Sequence, residues 1–172
     1  MNKMRALALS ALVAAPFIVS CSVSVGGSTI DQDKLKSEIT KTLDAQYTNF
    51  GQKVDSITCD DPGDDPAVDS TFQCIAKVSE ADVRVEVTVT SDSGDVKYVT
   101  LDRLVSLPIM SKELTSSVSE KVGPVTVECG TGVKAQPTNS QFDCEATDDT
   151  GQTGRVTYFV TDKPENDHWK LN

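Results

Sequence analysis

The chain has 172 residues, 16 basic and 26 acidic, and a net charge of −10 at neutral pH. Nucleic-acid binding takes its affinity from basic surfaces that release phosphate counterions, so this balance argues against a nucleic-acid partner. It gains nothing from anionic lipid head groups either, and reads as a device for solubility.

In chain order, Lys3 and Arg5 precede an apolar run from Ala6 to Val19. A charged start and an apolar stretch of this length form a secretory leader, too short for a membrane span of roughly 20 apolar residues. Without the leader the balance is 14 basic to 26 acidic, a net charge near −12. The leader ends in Ile18-Val19-Ser20-Cys21. This resembles the lipobox of bacterial lipoproteins. The resemblance implies cleavage before Cys21, lipidation of its sulfur, and a membrane anchor outside the cytoplasm. A diacylglyceryl group supplies the two acyl chains that stable anchoring needs. Ser22 to Ile30, with Gly26-Gly27 inside it, reads as a short tether.

Leu35, Ile39 and Leu43 recur at every fourth position, with charged residues between them. The spacing predicts an amphipathic helix over 31–47. A weak strand is expected at 54–59, an acidic loop with Pro and Gly at 60–70, and a second strand at 71–78. Val83, Val85, Val87 and Val89 alternate with Arg84, Glu86, Thr88 and Thr90, a strand with one dry and one wet face. A turn at 92–95 leads to a fourth strand over 96–101.

The order then repeats. Met110, Leu114 and Val118 form a helical stripe closed by Gly123-Pro124. Val125 and Val127 lead to Cys129, the loop 130–140 carries no acid, and Phe142, Cys144 and Ala146 mark the next strand. Arg155 to Thr161 matches Arg84 to Thr90, and Trp169 falls where Tyr98 fell. Two similar stretches at a shift of roughly seventy are an internal duplication.

The same spacing separates Cys59 from Cys74 and Cys129 from Cys144, with a Phe two places before the second Cys each time. A unit this small has a marginal core, and closing a loop of about 15 residues adds about 3 kcal/mol in the chain-entropy model. Two disulfides, Cys59–Cys74 and Cys129–Cys144, are therefore expected from the core side, as an exported chain permits. Cys21 is left over for the lipid. The rival is a four-cysteine metal site. It finds no CxxC spacing and a single histidine, His168.

The expected fold is α+β: two tandem units, each one amphipathic helix on a four-stranded antiparallel sheet with one disulfide. The divisions are a leader at 1–20, Cys21 and tether at 21–30, a first unit at 31–101, a linker at 102–107 and a second unit at 108–172. This helix, cysteine strand, aromatic-x-Cys strand and valine-rich strands resemble the small disulfide-bearing domain of unknown function in actinobacterial envelope lipoproteins, here in tandem. The likeness covers Leu35 to Leu101 and Met110 to Leu171. Two departures are the acidic first loop and Glu128-Cys129, which lacks the Pro often found beside that Cys. The resemblance implies architecture and address, and no activity. The duplicated layout is also similar to secreted inhibitors of the beta-lactamase-inhibitor type.

Catalytic motifs are missing: no GxSxG, HExxH or phosphate-binding glycine loop occurs. His168 reads as a surface residue, and no cofactor is called for. Asp60, Asp61, Asp64, Asp65 and Asp69 offer oxygens that calcium accepts, but their spacing is not an EF-hand. Phe159 stands opposite the face of Val156, Tyr158 and Val160, which makes it a candidate contact surface. The expected function is a membrane-anchored extracytoplasmic binding or scaffolding module with an envelope protein partner. The alternatives are a protein inhibitor presenting loops to an enzyme, and an envelope hydrolase.

Overall fold

The computed structural model describes the backbone of residues 21–23 and all of residues 30–172. The leader at 1–20, residues 24–29 and the side chain of Cys21 lie outside the described residues. The chain is mixed α and β, with every strand pairing antiparallel. No described helix is long and apolar enough to cross a membrane.

Strand β1 (Cys21–Val23) precedes helix α1 (Gln32–Tyr47). Asp31 caps α1 by accepting the Lys34 N–H at 3.0 Å, and Leu35, Ile39, Leu43 and Tyr47 are buried along one stripe. Strands β2 (Ser56–Cys59), β3 (Thr71–Val78), β4 (Ala81–Val89) and β5 (Val96–Thr100) follow as a meander. β1 joins the β5 edge, with Cys21 opposite Tyr98, and completes the sheet order β1-β5-β4-β3-β2. Thus Cys21 and the first two residues expected in the tether, Ser22 and Val23, are paired as an edge strand.

Strand β6 (Asp102–Ser106) leads into helix α2 (Leu107–Val122), β7 (Val125–Glu128), β8 (Val133–Pro137), β9 (Ser140–Asp148), β10 (Thr153–Val160) and β11 (His168–Leu171). The second sheet runs β11-β10-β9-β7, and β6 and β8 form a separate ribbon. The layout of two independent helix-on-four-strand units therefore needs correction. The stretch 102–107, expected as a linker, is a strand and the start of α2. The stretch 130–140, expected as a loop, supplies the partner of that strand. The ribbon ties one unit to the other: Leu104, Val133 and Ala135 pack on the first core, while Val105 belongs to the second.

Two local devices hold this arrangement. The β4–β5 ladder ends at the Val85–Thr100 pair, and the chain turns into β6. The next β4 donor, Arg84 N–H, is taken by Asp102 Oδ2 at 2.9 Å, and the Arg84 guanidinium clasps both Asp102 oxygens at 2.8 and 2.6 Å. On the other unit, edge strand β7 presents its N–H groups to α2. Val125, Val127 and Cys129 donate to the hydroxyls of Ser119, Thr115 and Ser111, at 3.2, 2.8 and 2.9 Å. Four helical residues rise about 6 Å and two strand residues about 6.8 Å, so hydroxyls at every fourth position meet every second N–H. The helix thus covers an edge that would otherwise be open to pairing.

Candidate functional site

A cavity of about 360 Å³ opens where the two units meet. Its apolar wall comes from Phe50, just after α1, from Leu104 and Val105 on β6, and from Ile109 and Met110 in the first turn of α2. Leu104 and Val105 are nearly inaccessible, whereas Ile109 is 41% exposed and marks the mouth. Asn49, Ser106 and Glu113 add polar groups around this wall.

The polar wall is built on Arg103, Tyr158 and Asp167. Asp167 comes just before β11 and is almost completely enclosed, with 5% of its side chain exposed. Its Oδ1 accepts the Thr161 N–H at 2.8 Å and the Thr161 hydroxyl at 3.1 Å. Its Oδ2 accepts the Tyr158 hydroxyl at 3.1 Å and Nη1 of Arg103. Arg103 also donates Nη2 to the Thr161 carbonyl at 2.7 Å. The third guanidinium nitrogen, Arg103 Nε, is buried and has no hydrogen-bond partner among the described residues.

Electrostatics sort these groups. Burial, followed by the charge and hydrogen bond of Asp167, raises the Tyr158 hydroxyl well above the ordinary tyrosine value, so it stays a neutral donor. Glu113 is exposed at the rim, yet partial desolvation holds its carboxyl above the usual value. Asp167 accepts from Arg103, Tyr158 and the Thr161 N–H, while the single proton of the Thr161 hydroxyl lies closer to the Lys163 carbonyl, so this carboxylate is engaged mainly in holding the wall together.

The residues singled out in the sequence lie elsewhere. Cys59–Cys74 and Cys129–Cys144 are disulfides, each between adjacent strands, with Cα separations of 3.9 and 4.3 Å. Phe159 is half-buried and stacks on His168 of β11, with ring centroids 4.7 Å apart and planes within 7°. His168 itself is exposed. Among the described residues, no group of three or more His, Cys, Asp or Glu could hold a metal ion, and the loop at 60–70 gathers none. The cavity residues escaped sequence reasoning because 102–107 reads as a linker. The available signal was the lack of acids in 130–140, where Val133 and Ala135 alternate with Lys134 and Gln136.

No curated protein and no solved structure matches the chain. Residues 16–94 match the family model described as a domain of unknown function, DUF4333. The match takes in Cys21, α1 and β2 to β4, and stops before β5. Over this stretch the chain is similar to a small domain whose activity is unassigned.

Proposed function

We propose that the protein is a lipid-anchored extracytoplasmic binding module, not an enzyme, and that it binds at the joint between its two units. The observation that carries this reading is the cavity under β6: an apolar wall shared by both units, with a mouth at Ile109. Binding sites favour concave, mainly apolar surfaces between structural units with a few placed polar groups. Glycoside hydrolysis would need two carboxyls poised on a substrate, and Asp167 is already engaged by Arg103, Tyr158 and the Thr161 N–H.

The address rests on the leader and the two disulfides. Disulfides of this kind persist in oxidising compartments, which suits an exported chain. The lipobox-like Ile18-Val19-Ser20-Cys21 favours acylation at Cys21, palmitate among the chains, and residence on the outer side of the plasma membrane of an actinobacterial cell. The second unit is read as a second copy of the domain. Its β7-β9-β10-β11 meander and Cys129–Cys144 bridge follow the β2-β3-β4-β5 meander and Cys59–Cys74 bridge in order.

A photoreactive residue placed at position 109 in intact cells tests the reading, with a second at position 159 as comparison. One reproducible crosslinked species from position 109 supports binding at the joint and identifies a partner. Background alone at 109, with a defined species at 159, would move the binding surface to the outer face of β10.

A further inference from the structure

Resting on the binding-module reading, we infer that the cavity takes a small single-chain aliphatic molecule with a cationic head, of the alkylammonium type, seated against Glu113. The tail follows from the wall. Phe50, Leu104, Val105 and Ile109 favour an aliphatic chain that leaves water. A cavity of about 360 Å³ stands at the lower end of ligand pockets, which run from about 300 to 1,000 Å³, and suits one short chain. The surroundings favour a molecule that enters over a protein that docks across the mouth. A stable protein interface takes about 800 Å² from each partner. Among the described residues, Val68, Ile109, Val122 and Leu171 are the exposed large apolar side chains, and of these only Ile109 lines the cavity.

The head follows from the charges on the wall, where Arg103, Asp167 and Glu113 stand. Arg103 and Asp167 pair with each other, and both side chains are largely enclosed. Glu113 is exposed, and among the described residues it has no ion pair. Lys112, its neighbour in the chain, does not line the cavity. Glu113 is therefore the accessible charge on this wall that the protein leaves uncompensated. It lies one helical turn beyond Ile109 on α2, a spacing that sets Cβ atoms about 5–6 Å apart. A chain that passes Ile109 at the mouth thus brings its head beside the carboxylate.

Two further observations agree. The Glu113 charge acts on the Tyr158 hydroxyl in the polar wall, which places the carboxylate on the cavity side of α2. Partial desolvation also weighs on that carboxylate, a cost that a bound cation offsets. The net charge of −10 draws cations towards the protein and repels anions.

The test is an NMR titration of the purified, disulfide-bonded protein at pH 7 with octylammonium, 1-octanol and octanoate, which share one tail and differ in the head. Contacts should run from the alkyl protons of octylammonium to the methyl groups of Leu104, Val105 and Ile109. Octylammonium should bind more tightly than octanol by about fivefold, the scale of a partly exposed ion pair, and octanoate should bind most weakly. Glu113→Gln should erase the lead of octylammonium over octanol. Glu120→Gln, which removes an exposed carboxylate elsewhere on α2, should leave that lead intact. The order of the three molecules is read in the native protein, so it decides the matter even if a variant fails to fold. Octanol or octanoate binding as tightly as octylammonium, at the same methyl groups, overturns the cationic head and leaves the joint as a binding site. Equal loss of the lead in both variants traces it to the general charge of the chain and also overturns it. No contact from any of the three overturns the ligand class, and crosslinking from position 109 then judges the binding-module reading separately.

Discussion

Leu104 and Val105 are neighbours in the chain and belong to different cores. Leu104, 3% exposed, packs with Val83, Val85 and the α1 stripe, and Val105, 6% exposed, packs with Leu114, Val118 and Val156. Alternating side chains on a strand point to opposite faces, so a single short strand seals both units at once. The cavity occupies this same seam, lined by both residues.

Shared burial couples the units. Leu104→Ala should destabilise the protein by about 2–5 kcal/mol, the usual range for a leucine cut back in a core. The loss should appear as one cooperative transition in urea, with amides of both sheets exchanging faster together. Separate transitions, with only the first unit weakened, would show that β6 does not couple them.

Asp102 gives the seam a pH dependence. Burial works against its charge, but the hydrogen bonds and charge of Arg84 outweigh burial and hold the carboxyl below its usual range. A carboxyl lowered on folding stabilises above its unfolded value of about 3.9, and that contribution is lost as pH falls through the lower folded value. Asp102→Asn should therefore cost about 1–3 kcal/mol at pH 7, since Arg84 is partly exposed and can rehydrate. The difference between native and variant proteins should shrink below about pH 4. Urea unfolding at pH 7 and pH 3 measures both.

Glu113 carries the opposite sign. Partial desolvation raises its carboxyl, so the folded protein binds that proton more readily than the unfolded chain. Its ionisation opposes folding above the folded value, and the penalty is absent below the unfolded value of about 4.3. Glu113→Gln should raise the melting temperature at pH 7 and change it little at pH 3. A drop at pH 7 would mean that the charge serves a structural role.

The hydroxyls on α2 make a fourth prediction. Thr115→Val keeps shape and removes the acceptor of the Val127 N–H. Leaving a buried donor unpaired costs about 1–3 kcal/mol. Hydrogen exchange should quicken at Val127, with smaller changes at Val125 and Cys129. Unchanged exchange there would show that α2 does not protect the β7 edge.

The two disulfides close loops of equal length, each worth about 3 kcal/mol in the chain-entropy model. Their removal should still differ in effect. The second loop contains β8, the partner of β6. Replacing Cys129 and Cys144 by Ser should therefore loosen residues 102–106 and the cavity. Replacing Cys59 and Cys74 should leave that ribbon protected. Amide exchange of both double variants separates the outcomes.

Local periodicity made much of this legible in advance. The α1 stripe, the valine alternation of β4 and the paired cysteines are short-range patterns, and each appears in the structure at or within a few residues of its expected place. What escaped was long-range. Arg103, Leu104 and Val105 lie in a five-residue strand whose partner is about thirty residues away, inside a disulfide loop. Nothing local in Asp102 to Ser106 distinguishes a linker from a strand, because its partner and the two cores on which it packs exist only after folding. The cavity inherits that blindness: its residues come from the turn after α1, from β6, from α2, from β10 and from the approach to β11. Phe159, by contrast, was legible as an outward aromatic, and His168 of the same sheet covers it.

Hydrogen exchange of the full-length protein, compared between its own cell membranes and the purified state, tests most directly whether the joint is the binding surface. Binding at the joint predicts slower exchange in the membranes at residues 49–50 and 103–113, with the outer face of β10 around Phe159 unchanged. Equal exchange across the joint in both states, or new protection confined to Phe159 and His168, would contradict it.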